Sequence, residues 1–268
     1  MPMLNDITLG QYYPVKSLVH SLDPRVKIVL LIMALVTVFL PQNMLLYLPI
    51  AAYILLAAKL SNVPFRLLLK GIKPLRFILI FTVVLNVFFL PGETVWLEWE
   101  FIRITKEAVL TAIMFGIRLV LLVMFSSLLT LTTAPVSLTD GLERLLSPLA
   151  KIRFPAHEMA MMMTIALRFI PTLLEEADKI MKAQSARGAD FESGNLMARA
   201  KAMVPLLVPL FVSAFRRAGD LAMAMEARCY HGGKGRTRLH VLKMQKNDWL
   251  ALLSMGALMA AVVLINKI

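Results

Sequence analysis

The sequence predicts an all-α, polytopic membrane protein with about five transmembrane helices and a cytoplasmic helical module. Three observations carry this reading. Hydrophobic residues fill 59% of the 268 positions and charged residues only 17%, with a mean hydropathy of +0.73. A soluble domain of this length does not need so much apolar surface. The apolar residues gather into runs near the roughly 20 needed to cross a bilayer. The segments between the runs differ in Lys and Arg content, as the two sides of a membrane protein do.

The spans follow in order. The first covers about 26–41, VKIVLLIMALVTVFLP, and is short, with Arg25 and Lys27 as snorkelling ends. The second covers about 43–60, where Pro49 is tolerable inside a bundle. The third is about 75–91 and the fourth about 107–133. The last is about 247–266, with Trp249 as an interfacial anchor. Lys16, Arg25 and Lys27 precede or open the first span, and Lys59, Arg66, Lys70, Lys73 and Arg76 lie between the second and third with no acid among them. Glu93, Glu98 and Glu100, with Arg103 and Lys106, lie between the third and fourth. The positive-inside rule then puts the N-terminus and the tract 134–246 in the cytoplasm and the C-terminus outside. The domains are accordingly 1–133, four spans with a cytoplasmic N-terminus; 134–246, the cytoplasmic module; and 247–268, the last span. The net charge of +12 marks cytoplasmic surface, so no nucleic-acid partner is inferred. The N-terminus MPMLNDITLGQYYP lacks the basic start, apolar core and cleavage site of a signal peptide. The single cysteine, Cys229, excludes an intrachain disulfide.

The tract 134–246 carries more Lys and Arg than Asp and Glu, yet it is not a polar linker. From Pro155 to Arg187, apolar residues including Met159, Met162, Met163, Ala166, Phe169, Ile170 and Leu173 recur at helical spacing. Pro171 predicts a kink or break there, and Gly188 a left-handed cap. A second helix is read over about 195–229. Its apolar run MVPLLVPLFVSAF is too short to span and suits a core or membrane-surface helix, bent at Pro205 and Pro209. Both helices end in Ala-Arg-small: Ala186-Arg187-Gly188 and Ala227-Arg228-Cys229. Small neighbours leave each guanidinium accessible as a fork for a partner carboxylate. Either arginine alone reads first as a complement to the helix dipole; two such tips in one module shift the balance toward docking.

The chain resembles the transmembrane T component of energy-coupling factor (ECF) transporters. The resemblance rests on SLVHSLDPRVKI at 17–28, LRFIPTLLEEADKIMKAQSARGAD at 167–190 and PLLVPLFVSAFRRAGDLAMAMEARCY at 205–230, and it covers nearly the whole chain. It implies a non-catalytic coupling subunit in a bacterial cell membrane, serving ATP-driven vitamin or metal-ion uptake. Two ATP-binding subunits and one or more substrate-binding S components are the implied partners, and the tract 134–246 becomes a coupling-helix module. Arg187 and Arg228 are then expected to engage acidic residues on the two ATPases. Cys229 stands where the family often has glycine, so the second helix is expected to be capped differently. The methionines of EMAMMMT and AMAME suit a surface that repacks against different partners, with core filling as the other reading.

Other chemistry finds little footing. GGKGR at 232–236 lacks the P-loop spacing, so ATP hydrolysis is expected on another chain. His20, His157, His231 and His240 show no metal-ligand spacing, and neither a metal nor a cofactor is expected. Glu175 and Glu176 are adjacent on a helix and point apart, against a catalytic pair. GGKGRTR reads as a solvated basic connector. Arg118 lies inside the fourth span, which makes it a functional-site candidate by default. Asn86 is its possible partner, and ordering of the helix bundle is the preferred role. A membrane transferase would need an Asp-rich diphosphate site, which the sequence lacks. A self-sufficient secondary transporter or channel is the competing class, although the spans are sparse in polar groups and no repeat is evident beyond the two arginine tips.

Overall fold

A computed structural model of the chain describes residues 12–90, 94–99, 102–152, 154–189, 191, 195–232 and 242–267. Most of the basic connector and His240 therefore lie outside the described residues, as do Glu93 and Glu100. The described residues of 12–142 with 242–267 form one compact unit and those of 143–232 another.

The first unit is built on a 27-residue helix, α6 (Lys106–Thr132). Before it come α1 (Leu18–Ser21), α2 (Pro24–Phe39), α3 (Tyr47–Leu60), α4 (Phe65–Lys70) and α5 (Arg76–Phe89). After it come α7 (Pro135–Leu146), whose Glu143 begins the second unit, and, at the end of the chain, α10 (Lys246–Lys267). α6 packs on α2, α3, α4 and α5, and α10 packs on α2. Val38, Ile50, Ile54, Leu121, Met124 and Met255 form the centre of its core. α2 begins where sequence demands it: Asp23 caps the helix by accepting from the Arg25 backbone N–H at 2.9 Å, with Pro24 at the first helical position. Gly141 of α7 sits where an added Cβ would lie 3.0 Å from Cβ of Pro24, so the absence of a side chain permits that close approach.

Among the described residues, four stretches are long and apolar enough to cross a membrane: Phe65–Phe89, Lys106–Thr132, Lys201–Ala227 and Lys246–Lys267. The third expected span starts earlier than its apolar run, because α4 and a 3-10 turn at Lys73–Leu75 lead into α5. The first two expected spans correspond to α2 and α3, of 16 and 14 residues, about 24 and 21 Å long at the helical rise. The stretch Lys201–Ala227 is an addition to the expected set. The segment between the third and fourth expected spans contains an antiparallel hairpin, β1 (Val95–Trp99) and β2 (Ile102–Thr105), pairing Glu98 with Arg103. Its β-branched and aromatic residues favour extended backbone, and it is the departure from an otherwise helical fold among the described residues.

A buried polar node joins the two ends of this unit. Asp248, 1% exposed, accepts from the Asp23 backbone N–H at 2.8 Å and from that of Gln245 at 2.7 Å. Asp23 in turn holds Arg25 in an ion pair at 2.8 Å. Lys27, 6% exposed, donates to the carbonyls of His20 at 3.1 Å and Thr132 at 2.9 Å. Charges at this depth persist only when they are paired or fully hydrogen-bonded. The node fastens α1, α2, α6 and α10 together at one end.

The second unit holds α8 (Ala156–Ala186) and α9 (Leu196–Ala227), packed on each other. Both are unbroken. Pro171 lies inside α8, and Pro205 and Pro209 inside α9; each removes one backbone donor, and the helical ladder continues on either side.

Replacing Asp248 by leucine leaves two backbone N–H groups unpaired. At about 1–3 kcal/mol for each such group, the expected loss is at least about 2 kcal/mol, or a fall in Tm of roughly 4–8 °C. Asp248→Asn, which keeps one acceptor oxygen, should lose about half as much. Thermal unfolding of the detergent-purified chain checks this, and unchanged unfolding in both variants contradicts it.

Candidate functional site

The two Ala-Arg-small tips sit at the C-termini of α8 and α9, and their geometry is nearly identical. Arg187 is the capping residue of α8, and Gly188 follows it in the left-handed region at φ +87°. The Gly188 N–H donates to Ser185 O and the Ala189 N–H to Gln184 O, both at 3.0 Å. That pair of bonds is a Schellman motif. In α9 the cap is Arg228, with Cys229 left-handed at φ +55°. The Cys229 N–H donates to Glu226 O at 2.9 Å and the Tyr230 N–H to Met225 O at 3.1 Å, the same motif. The expectation that Cys229 changes the cap is therefore corrected: the hydrogen bonds are the same, and the cysteine bears the cost of a left-handed backbone. Ala186, Arg187, Gly188, Ala227, Arg228 and Cys229 are all exposed, and neither guanidinium has a hydrogen bond or ion pair among the described residues. Each helix thus ends in a guanidinium held outward on a rigid cap.

Two polar clamps set where these tips lie relative to one another. At mid-length, Glu176 of α8 accepts from the Ser213 hydroxyl and from Arg217 of α9, the latter at 2.8 Å. The Ser213 hydrogen bond foremost, and then Arg217, hold the Glu176 carboxyl below its usual pKa. Near the start of α8, the Tyr230 hydroxyl meets His157 Nε2 at 3.2 Å and donates to Met161 Sδ at 2.9 Å, while His157 Nδ1 lies 3.0 Å from Glu143. Residue 176 faces 213–217 and residues 157–161 face 230, so the helices run antiparallel. The Arg228 tip therefore lies beside the start of α8 and the Arg187 tip at its far end, roughly 40 Å away along the helix. Neither clamp was legible in the sequence; both link residues far apart in the chain, and a Glu-Arg match alone does not specify pairing.

Arg118 lies on α6, part-buried, with Nε and a terminal nitrogen donating to the Tyr47 hydroxyl at 3.2 and 3.0 Å. Its guanidinium also stacks over the rings of Phe39, at 5.2 Å, and Phe115, at 5.0 Å. Asn86 is not its partner: the Asn86 amide donates to Thr82 O one turn back on α5 at 2.8 Å. Phe39 ends α2 and Tyr47 begins α3, while Phe115 is on α6 itself, so Arg118 ties those two helices to α6. Among the described residues, no three His, Cys, Asp or Glu side chains come together as metal ligands.

Two expected outcomes test the tips and the clamp. Cys229→Gly should stabilise the α9 end by about 1 kcal/mol, and Gly188→Ala should destabilise the α8 end by a similar amount. The second cost is backbone strain alone, because nothing lies within 4 Å of the added Cβ. Amide exchange at residues 184–189 and 225–230 reads both, and equal protection in each variant and its parent contradicts the assignment. Because the folded Glu176 pKa is depressed, its clamp is fully present above the ordinary value of 4.5 and is lost as pH falls through the lower folded value. Exchange at the middle of α8 and α9 should accelerate over that acidic window in the parent and not in Glu176→Gln, whose clamp is already weakened at neutral pH.

The chain was compared with known proteins. The family model CbiQ, described as cobalt transport protein, matches residues 15–239. An energy-coupling factor transporter transmembrane protein EcfT from Acidaminococcus fermentans is 57% identical over 96% of this chain and 95% of its own length. Proteins of the same name from Ruminiclostridium cellulolyticum and Thermanaerovibrio acidaminovorans are 52% and 50% identical, over 92% and 100% of this chain and 92% and 99% of their own lengths. Multi-pass membrane helices and these matches agree, and the chain belongs to the CbiQ family, the family of the transmembrane energy-coupling components of ECF transporters.

Proposed function

We propose that this chain couples two cytoplasmic ATP-binding subunits to a substrate-binding membrane subunit through Arg187 and Arg228. One observation carries the reading: two exposed arginines, each on a Schellman cap, stand at opposite ends of one clamped helix pair. A guanidinium fork pairs bidentately with carboxylates, so each tip fits an acidic groove on a separate ATPase. ATP binding and hydrolysis occur on those subunits, and their movement drives α8 and α9 as levers.

The same geometry bears on the membrane. α8 carries Glu158, Arg168, Glu175, Glu176, Asp178, Lys179 and Lys182 and is not among the stretches apolar enough to cross. α9 is ion-paired to it at mid-length. A spanning α9 would put Arg187 and Arg228 on opposite sides of the bilayer, where two cytoplasmic ATPases could not both reach them. α9 therefore lies along the membrane surface, with exposed Val204, Val208, Phe211 and Phe215 available to lipid or a membrane partner. The module 134–246 and the N-terminus are placed in the cytoplasm and the C-terminus outside on the strength of the Lys and Arg distribution. The transported solute, a vitamin or metal ion, is selected by the S component. A self-sufficient secondary transporter is not favoured, given the family.

Co-purification of the tagged chain with its ATPase pair tests this, comparing wild type with Arg187→Glu, Arg228→Glu and both. Each single reversal should weaken capture by at least about tenfold, on the scale of truncating one partner of a charge pair, and the double variant should lose both ATPases. Full retention in the double variant means the arginines only cap helices.

A further inference from the structure

The unit holding α2, α3, α6 and α10 contains a cleft of about 860 Å³, which is ligand-pocket scale. Its floor is apolar and buried, with Phe125, Leu128 and Met255, while its rim carries exposed Leu18, Leu56 and Leu250. The lining extends along α10 from Asn247 to Ala261, about 21 Å at the helical rise. One leaflet with its head groups is about 20–22 Å deep. Tyr53 and Ser254 meet across it at 3.2 Å, near mid-depth.

Charge is confined to one end. Lys27 lines the cleft there, and its ammonium has three N–H donors of which two are used, on His20 O and Thr132 O. Exposed Lys16, Lys59, Lys243 and Lys246 stand beside the elements lining that end, and none has an ion pair among the described residues. The acids at this end are engaged: Asp23 by Arg25, and Asp248 by two backbone N–H groups. Hydrocarbon depth with a positive mouth is the complement of an anionic amphiphile.

We propose that this cleft binds one anionic glycerophospholipid, with an acyl chain between α3 and α10 and the phosphate at Lys27, Lys59 and Lys246. The lipid completes the packing of α10 beside α3, and the site prefers anionic over zwitterionic head groups. This assignment does not rest on the docking role of Arg187 and Arg228.

The test is lipid extraction and mass spectrometry of the full chain purified from membranes of known composition. Phosphatidylglycerol added to the delipidated chain is compared with phosphatidylcholine and with inorganic phosphate in thermal shift. Wild type should retain about one phosphatidylglycerol per chain, enriched over its membrane share, and phosphatidylglycerol alone of the three should raise Tm. Ala257→Phe, on the exposed side of α10 in the cleft, should cut retention by about tenfold, the worth of 1.4 kcal/mol. Lys59→Gln with Lys246→Gln should keep a lipid while losing about fivefold of anionic preference per lysine. Retained lipid that mirrors the bulk membrane, or retention unchanged in Ala257→Phe, overturns the proposal. So does its loss in the complex assembled with partner subunits, if cleft residues then cross-link to a membrane helix of a partner.

Discussion

The antiparallel registration of α8 and α9 is the constraint on which the functional geometry depends. Two long helices with exposed apolar residues could slide along each other, because apolar contact is non-directional. The Glu176–Arg217–Ser213 clamp and the contact of Tyr230 with His157 and Met161 fix them at two separate heights. Two fixed points on a pair of rods determine both register and direction. The tips are then set by counting residues from the clamps, and each Schellman cap turns its arginine outward at the point where the helix stops. Force applied at either guanidinium is carried into a helix of 31 or 32 residues, which makes the pair suited to transmitting movement over its length.

A second polar device serves the membrane-like unit. Its helices are apolar on most faces, and hydrocarbon gives little reason for one apolar helix to choose another. Asp248, Asp23 and Lys27 supply that choice, because the hydrogen bonds each makes exist in one helix arrangement only. α1 and α2 are joined by it to α10. Arg118, bonded to Tyr47 and stacked between Phe39 and Phe115, repeats the device on α6. Both sites are ionisable groups within an apolar bundle, and both read as structural links between helices.

Much of this was legible in the sequence and some was not, for physical reasons. Apolar runs and the asymmetry of Lys and Arg gave the helical membrane class and most of the spans. Periodicity with Gly188 gave the end of α8. The α9 tip was found by its likeness to the α8 tip. Cys229 misled, because residue type reports the cost of a left-handed backbone and not whether neighbouring hydrogen bonds outweigh it. In α9 the apolar count stops at Arg216 and Arg217 while the helix runs on through them and through its two prolines, so the helix is longer than its apolar run, and the membrane-surface reading is retained. Asn86 was matched to Arg118 on polarity alone. In the fold, Asn86 satisfies its own helix, and an aromatic hydroxyl and two ring faces take the charge. The hairpin at Val95–Thr105 was hidden because the acids around it read as loop. Pairings such as Asp248 with Asp23 depend on which helices meet, which no local pattern states.

The central claim is that the two tips engage two different subunits at once. The most direct measurement uses the native Cys229 and an introduced Ser185→Cys, each beside an arginine that stays intact. A photo-cross-linker on both is activated in the assembled complex, and the products are counted per chain. The account predicts a doubly cross-linked species of one chain with two ATP-binding subunits, one captured from each position. Capture of the same subunit copy from both positions, or of no ATP-binding subunit from either, would contradict it.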